Sequence, residues 1–237
     1  MELQAEEGLL TTSAVPRVLV ATAVPAERDA VARTFPGTAG QVVAAGVGPA
    51  RAAACVATAL TGAARDGRPF TLVVSAGIGG GFAPEAPVGS LVVADEITAA
   101  DLGAETPDGF LPVTELGFGT ITHRCPAALV RDAAAATGAR PGTVLTVSTV
   151  TGTAARAAAL RTRHPRALAE AMEGFGVAEA AAAHGVPVLE LRAVSNPVGP
   201  RDRAAWRIGE ALDALADGFG KLAPVLEGWT SHDRHDR

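Results

Sequence analysis

The sequence predicts one α/β domain with a mostly parallel, mixed sheet flanked by helices. Short apolar runs alternate with helix-favouring segments, and 237 residues suit one sizeable domain. In addition, residues 167–196 have the pattern of a strand, a helix and a second strand. A helix between two strands is typical of a βαβ unit, which places both strand ends at one edge of a parallel sheet. Open α/β sheets bind ligands at that edge.

The N-terminal half alternates strand and helix signals. Residues 17–23, RVLVATA, are almost continuously apolar, as in a strand buried on both faces. Pro25 suits the first turn of a helix, and Glu27 and Asp29 place acidic charge near its positive end. We expect helices at 25–35 and 49–64, and further strands at 41–45 and 71–76.

The C-terminal half continues this alternation. Residues 98–122 are rich in Gly, Pro and Thr without a clear period, which predicts a long loop with short strands. We expect strands at 88–97 and 142–150, and helices at 125–137, 153–162 and 203–226. The apolar face of the last helix comprises Trp206, Ile208, Leu212, Leu215 and Leu222. Residues 1–16 are expected to be a flexible leader, 17–228 the domain and 229–237 a disordered tail.

Composition excludes several classes of protein. A net charge of −5 and a pI near 5.5 argue against a nucleic-acid partner. No run approaches the roughly 18 apolar residues of a membrane span, and the acidic N-terminus is unlike a signal peptide. Cys55 and Cys125 form neither a CxxC motif nor a disulfide framework. We therefore expect a cytoplasmic protein with no membrane or nucleic-acid partner.

Motifs for cofactors, metals and nucleophiles are missing. The third glycine of a G-x-G-x-x-G fingerprint starting at Gly77 would fall on Phe82, and no phosphate-binding loop is present. The five histidines lack the spacing of metal ligands, and no G-x-S-x-G elbow occurs. We expect no metal and no cofactor. The glycines at 77–81 predict either a tight turn with positive φ angles or, preferably, a backbone that approaches a flat ligand or a sugar.

Two carboxylates and one amide follow predicted strands. Glu27 alone could simply stabilise a helix N-terminus, and Asn196 before a proline could mark a turn. Glu173 is harder to explain by such a local structural role, because an acid among apolar residues near a core helix needs a partner. Together the three side chains predict a small-molecule site.

The same segments resemble the purine nucleoside phosphorylase and nucleosidase superfamily, and within it the futalosine hydrolase family, over residues 17–226. The matching text is ATAVPAE, AGVGPARAAA, SAGIGGGF, VGSLVVADE, AMEG and RAVSN. The Met-Glu pair followed by R-A-V-S-N is the specific part. The resemblance implies a doubly wound, nucleoside phosphorylase-like fold, a homo-oligomer of two or more subunits, and cleavage of an N-ribosidic bond.

The resemblance also implies roles for individual residues. Glu27 matches the carboxylate that activates water, and Met172 with Glu173 matches the ribose-binding pair. Ser195 and Asn196 match the pair below the base. The remaining matches are Gly77, Ile78 and Gly80 around the sugar and base, Thr151 and Thr153 in the base pocket, and Trp206 as a lid over the 5′ side.

Asn196 departs from the adenine-specific nucleosidases of the superfamily, which carry Asp there. An amide offers a donor and an acceptor but cannot titrate, which suits a 6-oxopurine such as hypoxanthine. We therefore expect hydrolysis of futalosine to hypoxanthine and dehypoxanthine futalosine, in the futalosine route to menaquinone. The alternatives are a 6-oxopurine nucleoside phosphorylase, with Arg28 and Arg51 near the phosphate position, a methylthioadenosine-type nucleosidase, and a nucleoside-binding module without catalysis.

Overall fold

A computed structural model describes residues 16–38 and 40–229. The expected tail from residue 230 on, and the expected leader except its last residue, lie outside the described residues. Among the described helices, none combines the length and the apolar character that crossing a bilayer requires.

Strands and helices alternate as the sequence predicts. The strands are β1 (Val18–Thr22), β2 (Gly40–Ala44), β3 (Leu72–Gly81), β4 (Leu91–Ala99), β5 (Gly103–Thr106), β6 (Gly109–Pro112), β7 (Thr122–Arg124), β8 (Arg140–Thr146), β9 (Ala167–Ala171) and β10 (Val188–Pro197). The helices are α1 (Pro25–Ala32), α2 (Pro49–Arg65), α3 (Ala127–Thr137), α4 (Ala154–Arg163), α5 (Gly174–Ala183) and α6 (Ile208–Gly228), with a 3-10 turn at Arg203–Ala205.

Within the described residues, eight strands form one mixed sheet in the order β10-β4-β8-β9-β3-β1-β2, with β7 beside β4. Because β10 also pairs with β3, five strands close into a ring, and β1 and β2 extend from it. The stretch 98–122 holds the β5–β6 hairpin and little other regular structure, as predicted. The fold is therefore a single α/β domain with a mixed sheet.

The expected βαβ unit is wrong in one respect. β9 and β10 do not pair with each other, since both pair with β3, and β10 runs parallel to β3 whereas β9 runs antiparallel to it. β3 is long enough to accept β10 along most of its length and β9 at its last two residues, Gly80 and Gly81. The ends of β9 and β10 nevertheless meet, because the sheet closes on itself.

The glycine run at 77–81 is strand, and none of its glycines has a positive φ angle. The tight turn with positive φ angles, the alternative reading of these glycines, is therefore wrong. A Cβ at Gly79 would lie 2.8 Å from the carbonyl oxygen of Glu170, and one at Gly81 would clash with the carbonyl oxygen of Ala86. These glycines allow the close approach of neighbouring backbone.

α6 buries part of the face that the sequence predicts. Leu215 and Leu222 are buried as predicted, together with Ala211, Phe219 and Leu226. Trp206 precedes the helix, and Ile208 is 44% exposed. Phe219 packs edge-on against Phe35, with 6.2 Å between ring centroids, which joins α6 to the end of α1. Trp206 lines the cavity described next instead of packing in the core.

Candidate active site

A cavity of about 270 Å³ opens where β1, β3, β9 and β10 end. Nine of the predicted site residues line it, namely Glu27, Ile78, Gly80, Thr151, Met172, Glu173, Ser195, Asn196 and Trp206. Gly77 does not line it, although the next residue, Ile78, does. Thr153 does not line it, because its hydroxyl caps α4 by accepting from the backbone N–H of Arg156 at 3.1 Å.

A larger cavity of about 570 Å³ lies under the β5–β6 hairpin. Its polar lining includes Glu96, Arg163, His164 and Arg166, and it contains none of the predicted site residues. Size alone does not locate the chemistry, so the smaller cavity with the converging acids and amide is the candidate site.

Glu27 is buried at 4% exposure although it belongs to the first turn of α1. Its Oε2 accepts from the backbone N–H groups of Ala23 at 2.9 Å and Val24 at 3.2 Å. Its Oε1 accepts from the N–H of Ile78 in β3, also at 2.9 Å. Glu27 therefore caps its own helix and also binds a second strand, which fixes its carboxylate at the cavity wall.

Glu173 follows β9 and is 6% exposed. Its Oε1 accepts from the N–H of Gly48 at 3.3 Å, and its Oε2 accepts from the N–H of Met172 at 3.3 Å. The partner that an acid in this setting needs is Arg192, whose Nη1 lies 3.4 Å from Oε2. Gly48 can reach the carboxylate because it holds a φ of +88° at the start of α2.

Arg192 is the centre of a buried ion cluster that the sequence analysis did not identify. It is 1% exposed and donates to Glu190 Oε1 at 2.8 Å and to the Ser75 hydroxyl at 3.0 Å. Burial opposes the charge of Arg192, but nearby carboxylates, chiefly those of Glu190 and Glu173, outweigh it and raise the pKa of the guanidinium. Burial also raises the pKa of the Glu190 carboxyl, against the charge of Arg192.

Gly77 separates the acid of Glu27 from this cluster. A Cβ at Gly77 would lie 2.6 Å from both Glu27 Oε1 and Arg192 Nη1. These two atoms therefore face each other across a glycine, and any side chain there would displace one of them. This end of the cavity thus carries two carboxylates held in place by backbone N–H groups, and Arg192, which does not itself line the cavity, is the buried cation next to them.

Asn196 lies at the other end, next to a β-bulge. The register of β10 against β3 shifts between Val194 and Asn196, which leaves Ser195 as the extra residue. The Ser195 hydroxyl lies 2.9 Å from Asn196 Oδ1 and 3.2 Å from the carbonyl oxygen of Gly79, and Asn196 Nδ2 donates to the carbonyl of Pro197 at 3.1 Å. These contacts orient an uncharged amide toward the cavity.

Glu170 is a third carboxylate in the cavity wall, 5% exposed. Its Oε1 accepts from the N–H of Thr151 at 2.7 Å, and its Oε2 accepts from the Thr151 hydroxyl. Burial raises the pKa of Glu170, while the two Thr151 hydrogen bonds oppose that effect.

Trp206 and Arg201 line the cavity beside these groups. The Arg201 guanidinium lies over the Trp206 ring, 5.1 Å from its centroid, and that of Arg203 lies at 5.9 Å. Trp206 is half-buried and Arg201 is exposed, so this edge is the mouth of the cavity and is positively charged.

Of the site residues that were not predicted from the sequence, Glu190 and Arg192 could have been found from a local pattern. Glu190 and Arg192 stand two apart in the otherwise apolar strand VLELRAV, so they share one face of a buried strand. Opposite charges on such a face predict a buried pair. Glu170 gave no comparable signal, because its contact with Thr151 depends on the pairing of β8 with β9. Within the described residues, no group of three or more His, Cys, Asp or Glu is arranged to hold a metal ion.

A family model described as the phosphorylase superfamily matches residues 13–225. The chain is 77% identical to a futalosine hydrolase from Streptomyces coelicolor, covering 92% of this chain and 99% of that protein. It is 45% identical to a futalosine hydrolase from Acidothermus cellulolyticus, covering 86% of this chain and 89% of that protein.

Among solved structures, a futalosine hydrolase mutant from Helicobacter pylori superposes with a TM-score of 0.74 at 16% identity, covering 89% of this chain and 99% of that chain. At that identity the superposition concerns the fold alone.

Proposed function

The chain belongs to the phosphorylase superfamily, and we propose that this member hydrolyses the N-ribosidic bond of futalosine, releasing hypoxanthine and dehypoxanthine futalosine. One observation carries the proposal on the structural side. One cavity is lined by Glu27 and Glu173, which lie near Gly77 and Ile78 of β3, and by the uncharged amide of Asn196, which lies further along β3 opposite Gly80. The reaction requires charged groups beside the sugar and a hydrogen-bonding group beside the base.

Breaking the C1′–N9 bond builds positive charge on the ribose and negative charge on the purine. A fixed carboxylate beside the sugar stabilises the first of these charges, and its effect is large because the site is already organised. Glu173 takes this role, with its carboxylate directed at the ribose hydroxyls. The N–H groups of Gly48 and Met172 and the guanidinium of Arg192 keep it in position.

Glu27 orients and deprotonates the attacking water. Three backbone N–H groups already bind its two oxygens, so the carboxylate cannot rotate away from the cavity. A carboxylate has about four lone-pair sites, which leaves one for a water molecule. Such a positioned base is worth about 10²–10⁴-fold in rate.

Asn196 stabilises the leaving base. Its Nδ2 has a second hydrogen besides the one donated to Pro197, and its Oδ1 has a lone pair besides the one facing Ser195. Nδ2 can therefore donate to O6 of a 6-oxopurine, and Oδ1 can accept from N7–H once the departing base has taken up a proton there from solvent. Ser195 supports this by holding Oδ1.

Hydrolysis is favoured over phosphorolysis by the placement of the cations. Arg28 pairs with Asp29 at 2.7 Å and Arg51 is exposed, and neither lines the cavity. Of the described residues lining the cavity, only Arg201 is cationic, and it lies at the mouth with Trp206. Phosphate beside the ribose would instead meet the acids Glu27 and Glu173.

The test is release of free base by the purified protein from futalosine, inosine and methylthioadenosine, each with and without phosphate. We expect futalosine to be cleaved fastest, at a rate that does not depend on phosphate. Fastest cleavage of methylthioadenosine would refute the proposal, and a rate that requires phosphate would identify a phosphorylase instead.

Three broader expectations remain proposals. They are a place in the futalosine route to menaquinone, assembly into a homo-oligomer, and a cytoplasmic location. Gel filtration with light scattering on the purified protein tests the second directly.

A further inference from the structure

Glu170 has no part in the mechanism above, although it is one of the three buried carboxylates in the cavity wall. Glu173 has a cation beside it, and Glu27 accepts three backbone N–H bonds. In the described part of the chain, Glu170 forms no ion pair and accepts only the two bonds from Thr151. Two hydrogen bonds compensate little of the free-energy cost of burying a carboxylate, so Glu170 needs a further donor.

The sheet register places Glu170 opposite Asn196. Gly80 of β3 pairs with Asn196 on one side and with Glu170 on the other. Cross-strand neighbours direct their side chains to the same face of a sheet, so both side chains project on the side of Gly80 that faces the cavity. With strands about 4.8 Å apart, the two Cα atoms stand roughly 10 Å from each other.

Gly80 lets the side chains on this face approach the strand. A Cβ at Gly80 would lie 3.3 Å from Asn196 Nδ2 and 2.9 Å from a methyl group of Val198, so a side chain there would displace them. Asn196 and Glu170 thus flank the same part of the cavity from two strands, and this part is called the slot below.

The hydrogen-bonding pattern of the slot distinguishes two purines. Each oxygen of Glu170 has one donor from Thr151, and the remaining lone pairs can only accept. A 6-oxopurine carries a donor, N1–H, next to the O6 that Asn196 binds. A 6-aminopurine carries a lone pair at N1, so that two acceptors would face each other.

We propose that Glu170 accepts a hydrogen bond from N1–H of a 6-oxopurine base, and that Glu170 together with Asn196 makes the site reject 6-aminopurines. The inference deepens the proposed function and rests on it for the placement of the base. Thr151 is then a positioning residue, which holds both carboxylate oxygens and leaves their other lone pairs to the ligand.

The first test uses the unchanged protein and three free bases, hypoxanthine, 1-methylhypoxanthine and adenine, with affinity measured by titration calorimetry. A hydrogen bond to a charged group accounts for about a 10- to 100-fold difference in binding. We expect 1-methylhypoxanthine and adenine each to bind at least about tenfold more weakly than hypoxanthine. Equal affinities for hypoxanthine and its 1-methyl derivative would overturn the inference.

The second test is Glu170→Gln, with Glu227→Gln on the exposed side of α6 as the matched control. The amide of the variant can accept from the N–H of Thr151 through its oxygen and direct an N–H into the slot. We expect the hypoxanthine-to-adenine affinity ratio to fall about tenfold or more in Glu170→Gln and to stay unchanged in the control. An unchanged ratio in a Glu170→Gln protein with a native circular dichroism spectrum would overturn the inference.

The two proposals fail separately. If futalosine is not cleaved but hypoxanthine binds with the expected selectivity, the proposed function is wrong and the role of Glu170 stands. If futalosine is cleaved and neither 1-methylation nor Glu170→Gln changes selectivity, the proposed function stands and the role of Glu170 is wrong.

Discussion

The two ends of the cavity are built in opposite ways. At the sugar end, Glu27, Glu173 and the buried Arg192 bring full charges together, held by backbone N–H groups. At the base end, Asn196 is uncharged, and Glu170 accepts hydrogen bonds from the hydroxyl and the N–H of Thr151.

This contrast assigns different tasks to the two ends. Charge at the sugar end stabilises charge that develops in the cleavage of any N-ribosidic bond, so it accelerates reaction without selecting among bases. Donors and acceptors at the base end discriminate by leaving a mismatched base with unpaired polar groups. We therefore expect variants at the sugar end to slow all substrates alike, and variants at the base end to change the ratio between substrates.

The largest effect should come from Glu27→Gln and Glu173→Gln. Each removes a charge with almost no change in shape, so we expect kcat for futalosine to fall about 10²–10⁴-fold. The 6-amino analogue of futalosine should lose activity by the same factor. Steady-state assays with both substrates measure this.

Thermal unfolding of both variants serves as the control for loss of fold. A variant that is folded and retains a near-native rate would remove that residue from the mechanism. A fall for one base only would place the residue at the wrong end of the cavity.

Arg192→Met should have the largest effect on stability. It leaves the carboxylates of Glu190 and Glu173 buried without their cation, which costs about 3–5 kcal/mol in the free energy of unfolding. Urea unfolding measures the loss, and Arg192→Lys should lose less because it keeps a charge. If Arg192→Met is as stable as the wild type, the cluster does not hold the sugar end together.

Asn196→Asp should change selectivity more than stability. A carboxyl group there can carry a proton to N7 of adenine but repels the electron-rich O6 of a 6-oxopurine. We expect the ratio of kcat/KM for futalosine to that for its 6-amino analogue to fall about tenfold or more. A parallel loss for both substrates would show that Asn196 does not read the base.

The smallest effect concerns pH. Because burial raises the pKa of Glu170, the folded protein keeps a proton that the unfolded chain releases as the pH rises above about 4.5. The carboxyl therefore contributes stability at low pH that disappears as the pH rises through its folded-state pKa. In Glu170→Gln, urea unfolding between pH 4 and 8 should show a smaller decline with pH than in the wild type. An identical decline would mean that Glu170 is not buried as described.

Local sequence patterns were enough for most of the strands and helices. Continuous apolar runs located β1 and β3, and the predicted end of a helix at residue 137 is confirmed, since Gly138 follows α3 with a left-handed φ of +73°. The direction of β9 could not be predicted from a local pattern. It depends on β3, which pairs with β10 in parallel and with β9 in antiparallel orientation. The glycines that permit this look the same in sequence as those of a turn.

The site residues likewise divide into those that a local pattern predicts and those that depend on contacts between distant segments. Glu27 and Glu173 each follow a strand and Asn196 lies near the end of β10, so a local pattern predicted them, and they line one cavity. Glu170 lies inside β9 and becomes part of the cavity only through its register with Gly80 and its contact with Thr151. Such contacts link residues distant along the chain, which a single sequence does not reveal.

The most direct test of a cavity with a charged sugar end and a selective base end is a crystal structure of the protein with hypoxanthine bound. We expect the base to lie between Asn196 and Glu170, with O6 and N7 at Asn196 and N1 within hydrogen-bond distance of Glu170, leaving the space beside Glu27 and Glu173 to the sugar. Hypoxanthine bound against Glu173 and Arg192, or outside the cavity altogether, would contradict this division.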